Sequence, residues 1–442
     1  MRKAILAAAG VAALAFIMAA GPAVQSLAPV RSPESSTGPN PELPAPQHPL
    51  LPTIKIAQAV GWAAGEAPKP APGFAVKAFA TGFDHPRWIE VLPNGDILVA
   101  QSSTEKTKVT GVTSLVQNET QQAAGAIHDS ADTIDLLRDT NGDGIADQKF
   151  VLVAGLFQPF GMAFTNDTLY VANTDEVVAF PYKLGETKIT AKPRSVLKLP
   201  YYAPENHHWT RSLLASKDGK KLYVTVGSDS NIGEKGMDVE KGRATVWEVG
   251  TDGKGARIFA SGLRNANGLS WEPKTNALWV VVNERDVLGD DLVPDYMTSV
   301  KPGAFYGWPY SYWGKHVDDR VKPQRPDLVA KAIAPDYALG AHTASLGLAF
   351  YQGKLLPAHY QGGAFIGQHG SWNRSQLAGY KVIFVPFTNG KPSGPIEDVL
   401  TGFVGDDGKA RGRPVGVAID KEGGLLVADD VGNVIWRVTP AK

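Results

Sequence analysis

The run Asn206-His207-His208-Trp209-Thr210-Arg211 carries the groups best suited to moving a proton. Imidazole titrates near neutral pH and is the usual general base. Neighbouring side chains on a strand point to opposite faces, so only one of His207 and His208 would face a central site. A bare histidine pair is equally compatible with a surface or structural role. Gly262-Leu263-Arg264-Asn265-Ala266-Asn267-Gly268 sets a cation beside two amides, a set that binds a planar, anionic, polar ligand well. Arg411 and Arg413 are two residues apart and would share a face if extended. Gly367-Gln368-His369-Gly370-Ser371-Trp372-Asn373-Arg374 places further polar groups at a strand end.

Two segments have the oxygen-rich pattern that suits calcium. Asp139, Asn141, Asp143 and Asp147 alternate around Gly142 and Gly144 as a calcium loop begins, although Phe150 stands where a twelfth-position Glu would close it. Asp147 would close a shorter loop; a solvated Asp/Gly turn is the simpler alternative. The stretch from Asn283 to Asp291, with Arg285, Asp286, Asp290 and Asp291, forms an acidic loop after a strand. No hydrolase elbow, phosphate-binding loop or dinucleotide fingerprint is present.

The elements that must position these groups read as strands. The 442 residues carry 44 basic and 44 acidic side chains, and a zero net charge argues against a nucleic-acid partner. There is no cysteine, which removes disulfides, thiol nucleophiles and Cys-based metal sites. The 47 Gly and 32 Pro favour short strands and tight turns over long helices. After residue 73 a strand signature of the type Leu-Tyr-Val-Ala recurs at Ile97–Ala100, Leu169–Ala172, Leu222–Thr225, Leu278–Val281, Ala364–Gly367 and Leu425–Ala428. Six recurrences predict an all-β, six-bladed β-propeller over residues 73–442, with a pair of β-sandwiches as the alternative. The ends would close the ring by pairing Ala75–Ala80 with Asn433–Val438. Residues 103–135 and 283–345 are long polar insertions.

Upstream, Arg2 and Lys3 precede an apolar run from Ala4 to Ala20, and small residues follow to Ala23. Residues 1–23 read as a secretory signal peptide or an uncleaved membrane anchor, so the body is expected to be periplasmic or otherwise exported. Residues 24–72, rich in Pro, Ala and Ser, read as an extended linker.

Taken in order, these motifs resemble the soluble quinoprotein sugar dehydrogenases, especially their sorbosone-dehydrogenase-like branch. The likeness rests on His208-Trp-Thr-Arg211, Gly-Leu-Arg264-Asn265, Gly-Asp290-Asp291, Tyr306-Gly-Trp-Pro, Gly-Gln-His369-Gly-Ser-Trp-Asn-Arg374 and Arg411-Gly-Arg413, spread over most of residues 74–442. It implies a six-bladed propeller holding pyrroloquinoline quinone (PQQ) and calcium in its central funnel. It also implies a histidine base, His208 or His207, that takes the substrate hydroxyl proton while hydride passes to the quinone C5 carbonyl. Arg264 and Asn265 match the pair near the C5 oxygen, and Arg411 and Arg413 match the cations on the cofactor carboxylates. The loop from Arg285 to Asp291 matches the calcium loop, and Arg374 stands in for a fifth-blade lysine.

The chain departs from the glucose-oxidising members at Ser228, where they have an Asp that orients the base, and at Arg285-Asp286, where they have Gly-Pro. The implied substrate is therefore a sugar or a sorbosone-like aldehyde oxidised as its hydrate, rather than glucose. Two other readings stay open: a calcium-dependent lactonase on the same fold, with a ring of Glu, Asn and Asp, and an exported binding module without cofactor.

Overall fold

The computed structural model describes residues 33–47, 53–104, 119, 121–127, 129–202 and 206–441. The apolar run Ala4–Ala20 lies outside the described residues.

Six antiparallel sheets form a ring of blades. Blade one spans Pro86–Val91 to Gln148–Ala154, blade two Met162–Thr165 to Arg194–Lys198, and blade three Leu213–Ala215 to Arg257–Ser261. Blade four runs from Asn265–Trp271 to Tyr337–Ala341, and blade five from Ser345–Phe350 to Glu397–Thr401. Blade six joins both ends of the domain: Pro414–Ile419, Leu425–Asp429 and Val434–Pro440 are completed by Phe74–Thr81. Val76 faces Val438 and Thr81 faces Val434, which is the closure the sequence predicts.

Each recurrent strand signature is the second strand of its blade. That strand lies mid-sheet, with each face against a neighbouring blade, so it is apolar on both sides. Ile97–Gln101, Ala364–Gln368 and Leu425–Asp429 are buried at every position. Outer strands such as Arg194–Lys198 are mostly exposed and carry little signature. The core is therefore a set of inter-blade layers. Trp88, Phe160 and Trp209 belong to one, and Trp279, Phe350 and Ile366 to another.

Close approach of the inner strands needs glycine. A Cβ on Gly268 would lie 2.6 Å from the Leu346 carbonyl and 2.7 Å from the Leu348 nitrogen, both on the next blade. Gly416 has the same relation to blade one, 2.8 Å from the Arg87 carbonyl. Gly161 and Gly347 also abut the next inner strand.

Residues 33–47 and 53–72 correct the reading of residues 24–72 as a free linker, and the folded chain begins before Gly73. Thr37–Gly38 add to the outer strand of blade four, and Lys69–Pro70 to that of blade five. Between them Ala57 is fully buried, and Trp62 packs on Phe403 and Trp436. Composition misjudged the segment because it is held mainly by main-chain hydrogen bonds, which a Pro-rich sequence can make in short stretches at sheet edges.

Replacing Gly268 by Ala puts a methyl against main chain that cannot move independently. The variant is expected to lose roughly 1–3 kcal/mol of stability, read as a lower midpoint in denaturant and thermal unfolding.

Candidate active site at the propeller mouth

All six inner strands start at one end of the ring, and the antiparallel second strands finish there. Pro86 pairs with Gln101, Asn265 with Asn283, Ser345 with Gln368, and Pro414 with Asp429. Residues just before an inner strand and just after a second strand thus converge on one mouth. His208, Arg264 and Arg413 arrive by the first route, and Ser228, Glu284, His369 and Asp430 by the second.

Blades three and four build one half. His207 and His208 lie in a bend ahead of Leu213–Ala215, so strand alternation does not set their directions. His208 is oriented by hydrogen bonds: its Nδ1 lies 2.7 Å from the Ser228 carbonyl oxygen and 3.1 Å from Ser228 Oγ. A carbonyl only accepts, so Nδ1 carries the hydrogen and Nε2 is left as the basic nitrogen. Gly227 lets the ring in, since a Cβ there would meet Asn265 Oδ1 and lie 2.6 Å from His208 Cβ. Arg211, fully buried, donates to the carbonyls of His208 (2.6 Å), Thr210, Thr174 and Pro200, which fixes the bend. Asp229 turns away to Lys235 and Arg243, which leaves Ser228 as the residue on His208 Nδ1.

Arg264 is held on every side. It donates to Asn231 O, Asn231 Oδ1 (2.9 Å), Glu284 O (2.7 Å) and Asp286 Oδ2 (3.0 Å). His342 Nδ1 reaches the other Asp286 oxygen at 3.3 Å, and its Nε2 the Gly289 carbonyl at 3.0 Å. Arg264, and to a lesser degree His342, hold Asp286 below the usual carboxylate range against the opposing effect of burial. Burial, and next the Arg264 charge, depress His208 well below the ordinary imidazole value. The ring is therefore neutral at pH 7. Val287, beside Asp286, has φ of +69°. This strained geometry for a β-branched residue is supported by Asn373 Oδ1 accepting its N–H at 2.8 Å.

Blades five, six and one build the other half. Asp430 Oδ2 accepts from Arg87 Nη1 and lies 2.8 Å from His369 Nε2 and 3.4 Å from His85 Nε2. His369, His85 and Arg87 together hold Asp430 far below the usual range although burial opposes them. Arg413 is 5% exposed and stacks its guanidinium 4.8 Å from the Tyr380 ring centre. A polar chain joins the halves: Asn265 to Asn283 Oδ1, Asn283 Nδ2 to Ser345 O, and Gln368 Nε2 to Ser345 Oγ.

Several sequence-predicted residues lie elsewhere. Arg411 turns to Asp407 (3.1 Å) and Glu66 at the rim, because residues 411–413 bend before the strand at Pro414 instead of extending. Arg285 forms a buried ion pair with Asp318 and wraps its Nε and Nη2 on the Asp286 carbonyl, so it offers nothing to a metal. Asp290 accepts from Ser375, and Asp291 pairs with Arg374 at 3.1 Å. The loop at 139–147 joins the third and fourth strands of blade one, on the face opposite the mouth. Asp139 accepts from Gly142 and Gly144, Asn141 from Asp143, Asp143 from Ile145, and Asp147 from Thr140. Lys77 caps the Asp143 carbonyl. Among the described residues no three or more carboxylates and imidazoles converge as a metal group would require. The side-chain oxygens of both loops accept hydrogen bonds from protein donors.

Arg87, Arg374 and Arg413 each keep a buried Nε without a hydrogen-bond partner, and so does Asn265 Oδ1. Buried donors on guanidinium groups in one mouth suit a polycarboxylate.

Motif reading missed Arg87, Asn231, His342, Tyr380 and Asp430. The signal for Asp430 was present. The strand signatures are followed by polar residues at the mouth, such as Gln101-Ser102, Asn173-Thr174, Asn283-Glu284, Gln368-His369 and Asp429-Asp430.

The ring and its cation-lined mouth define a six-bladed β-propeller with a funnel site. The chain belongs to the TrAA12-like family, whose model matches residues 68–303 and 323–441. It is 26% identical to an aldose sugar dehydrogenase of Escherichia coli over 196 residues, which are 41% of this chain and 50% of that protein. The fold is shared with a family AA12 carbohydrate-active enzyme of Trichoderma reesei solved in a calcium form, with a TM-score of 0.68, 20% identity, and coverage of 88% and 99%. It is also shared with the holo PQQ domain of a Coprinopsis cinerea pyranose dehydrogenase, with a TM-score of 0.67, 19% identity, and coverage of 87% and 100%. The chain is thus a distant homologue of PQQ-dependent sugar dehydrogenases.

Two outcomes follow from the geometry. A calcium ion seated in the 139–147 or the 285–291 loop would raise the melting temperature in calorimetry and a chelator would reverse the rise; an unchanged melting temperature would show both loops empty. The depressed His208 binds protons more readily in the unfolded chain, so its contribution lowers stability as pH falls below about 6.5. His208→Gln should therefore flatten this part of the profile of melting temperature against pH.

Proposed function

We propose that this protein is an exported, PQQ-dependent dehydrogenase that oxidises a sugar or a sorbosone-like sugar aldehyde, with His208 as general base. The observation that carries this reading is one arrangement. An imidazole with Nδ1 committed to Ser228 presents a basic Nε2 beside Arg264 and Asn265, in a mouth with unsatisfied guanidinium nitrogens. Export rests on the run Ala4–Ala20 as signal or anchor.

Arg413, Arg87 and Arg374 would hold the carboxylates of the quinone, which supplies a hydride acceptor when bound. Arg264 is fixed by Asn231, Glu284 and Asp286, so its charge is pre-aimed and needs no rearrangement during the reaction. His208 Nε2 takes the proton of a substrate hydroxyl, while the unpartnered Asn265 Oδ1 accepts a hydrogen bond beside it. Burial disfavours the imidazolium so formed, and the partly open ring gives its proton a path to water. No step is assigned to calcium. A lactonase metal ring has no ligand set among the described residues.

The test is titration of the apoprotein with PQQ, followed by near-ultraviolet absorbance, and then a dye-linked screen of sugars and aldehydes. PQQ should bind, and His208→Gln should cut kcat by roughly 10²–10⁴-fold with PQQ affinity nearly intact. Absence of binding would overturn the cofactor. A variant running at the parent rate would overturn the base.

A further inference from the structure

The N-terminal segment crosses the mouth of the propeller. Its ends are pinned by the two strand additions at Thr37–Gly38 and Lys69–Pro70. Between these points Thr53 O accepts from Asn373 Nδ2 at 2.7 Å, and Lys55 N donates to Trp372 O at 2.9 Å. Ala59 lies beside Ala410 in a parallel bridge, with Ala410 N on Gln58 O (2.8 Å) and Val60 N on Ala410 O (2.9 Å). Ala59 N also donates to Ala123 O of the blade-one insertion.

The centre of this crossing sits on the cation assigned to the cofactor. The Ala57 carbonyl accepts from Arg413 Nη2 at 3.3 Å. Trp62 puts its indole N–H on Asp429 Oδ2 at 2.7 Å, and the opposite Asp429 oxygen accepts the Arg413 main-chain N–H at 2.8 Å. One carboxylate therefore ties the segment to the residue it covers. Gly61 and Gly65 adopt φ of +73° and +83°, conformations that only glycine takes freely, on either side of Trp62. The fastening is a few main-chain hydrogen bonds, the buried Ala57 and the Trp62 ring packed on Phe403 and Trp436, with no long sheet or helix. Segments held in this way open at a free energy well below that of global unfolding.

We propose that residues 53–62 are a latch over the Arg413 pocket, which must lift for PQQ to enter or leave and which closes over it once bound. The proposal rests on the PQQ reading above. The chain has no cysteine, so Ala59→Cys with Ala410→Cys creates a single thiol pair at facing positions of a strand bridge, close enough to oxidise. The oxidised full-length variant should take up PQQ on the order of tenfold or more slowly than the parent, with reductant restoring the rate. Uptake at the parent rate in the oxidised state overturns the latch.

Trp62→Ala, in the full chain, should load and lose PQQ faster than the parent; an unchanged loss rate also overturns it. Failure of the parent to bind PQQ would instead overturn the cofactor reading. The latch is then judged by hydrogen exchange. The Val60 and Ala410 amides should exchange much faster than inner-strand amides, and equally slow exchange overturns the proposal.

Discussion

The structure depends on closure of the ring by the pairing of Phe74–Thr81 with Val434–Pro440. A propeller blade buries its faces only against neighbours, so an open ring would expose the outer blades to water. Closure puts six inner strands side by side in one sense. That single constraint delivers His208, Arg264 and Arg413, which are far apart in sequence, to one mouth.

Electrostatics at the mouth follows from how each charge is compensated. Asp286 and Asp430 are the two anionic hubs, each serving an arginine and at least one histidine. Arg264 is fully committed to its hub, whereas Arg413 keeps only a stacked ring and a carbonyl. The first arrangement sets a field at His208, and the second leaves binding capacity. The same residue type is used for two purposes, distinguished by how many donors remain.

The fold was legible because mid-blade strands are buried on both faces and repeat as apolar runs. Arg264 and the His208 bend stood out by residue type alone, since each lies ahead of an inner strand and not beside one of those runs. Arg411 was misjudged because two-residue spacing implies a shared face only in extended backbone, and residues 411–413 bend. A pattern of Asp and Gly in the two oxygen-rich loops shows oxygens without showing which of them already accept hydrogen bonds, such as those from Gly142, Gly144 and Ser375. The role of residues 53–62 was hidden because main-chain pairing leaves almost no trace in side-chain composition, apart from Trp62.

The two strand additions bear on association as well. A sheet edge with free amides and carbonyls is a template for another chain. Thr37–Gly38 and Lys69–Pro70 occupy part of the outer edges of blades four and five, and each addition is only two residues long. Pro70 has no amide to offer the next strand. At blade five the segment therefore weakens the hydrogen-bond ladder at its outer edge, and the rim of the ring there is blunted against stacking with a second copy.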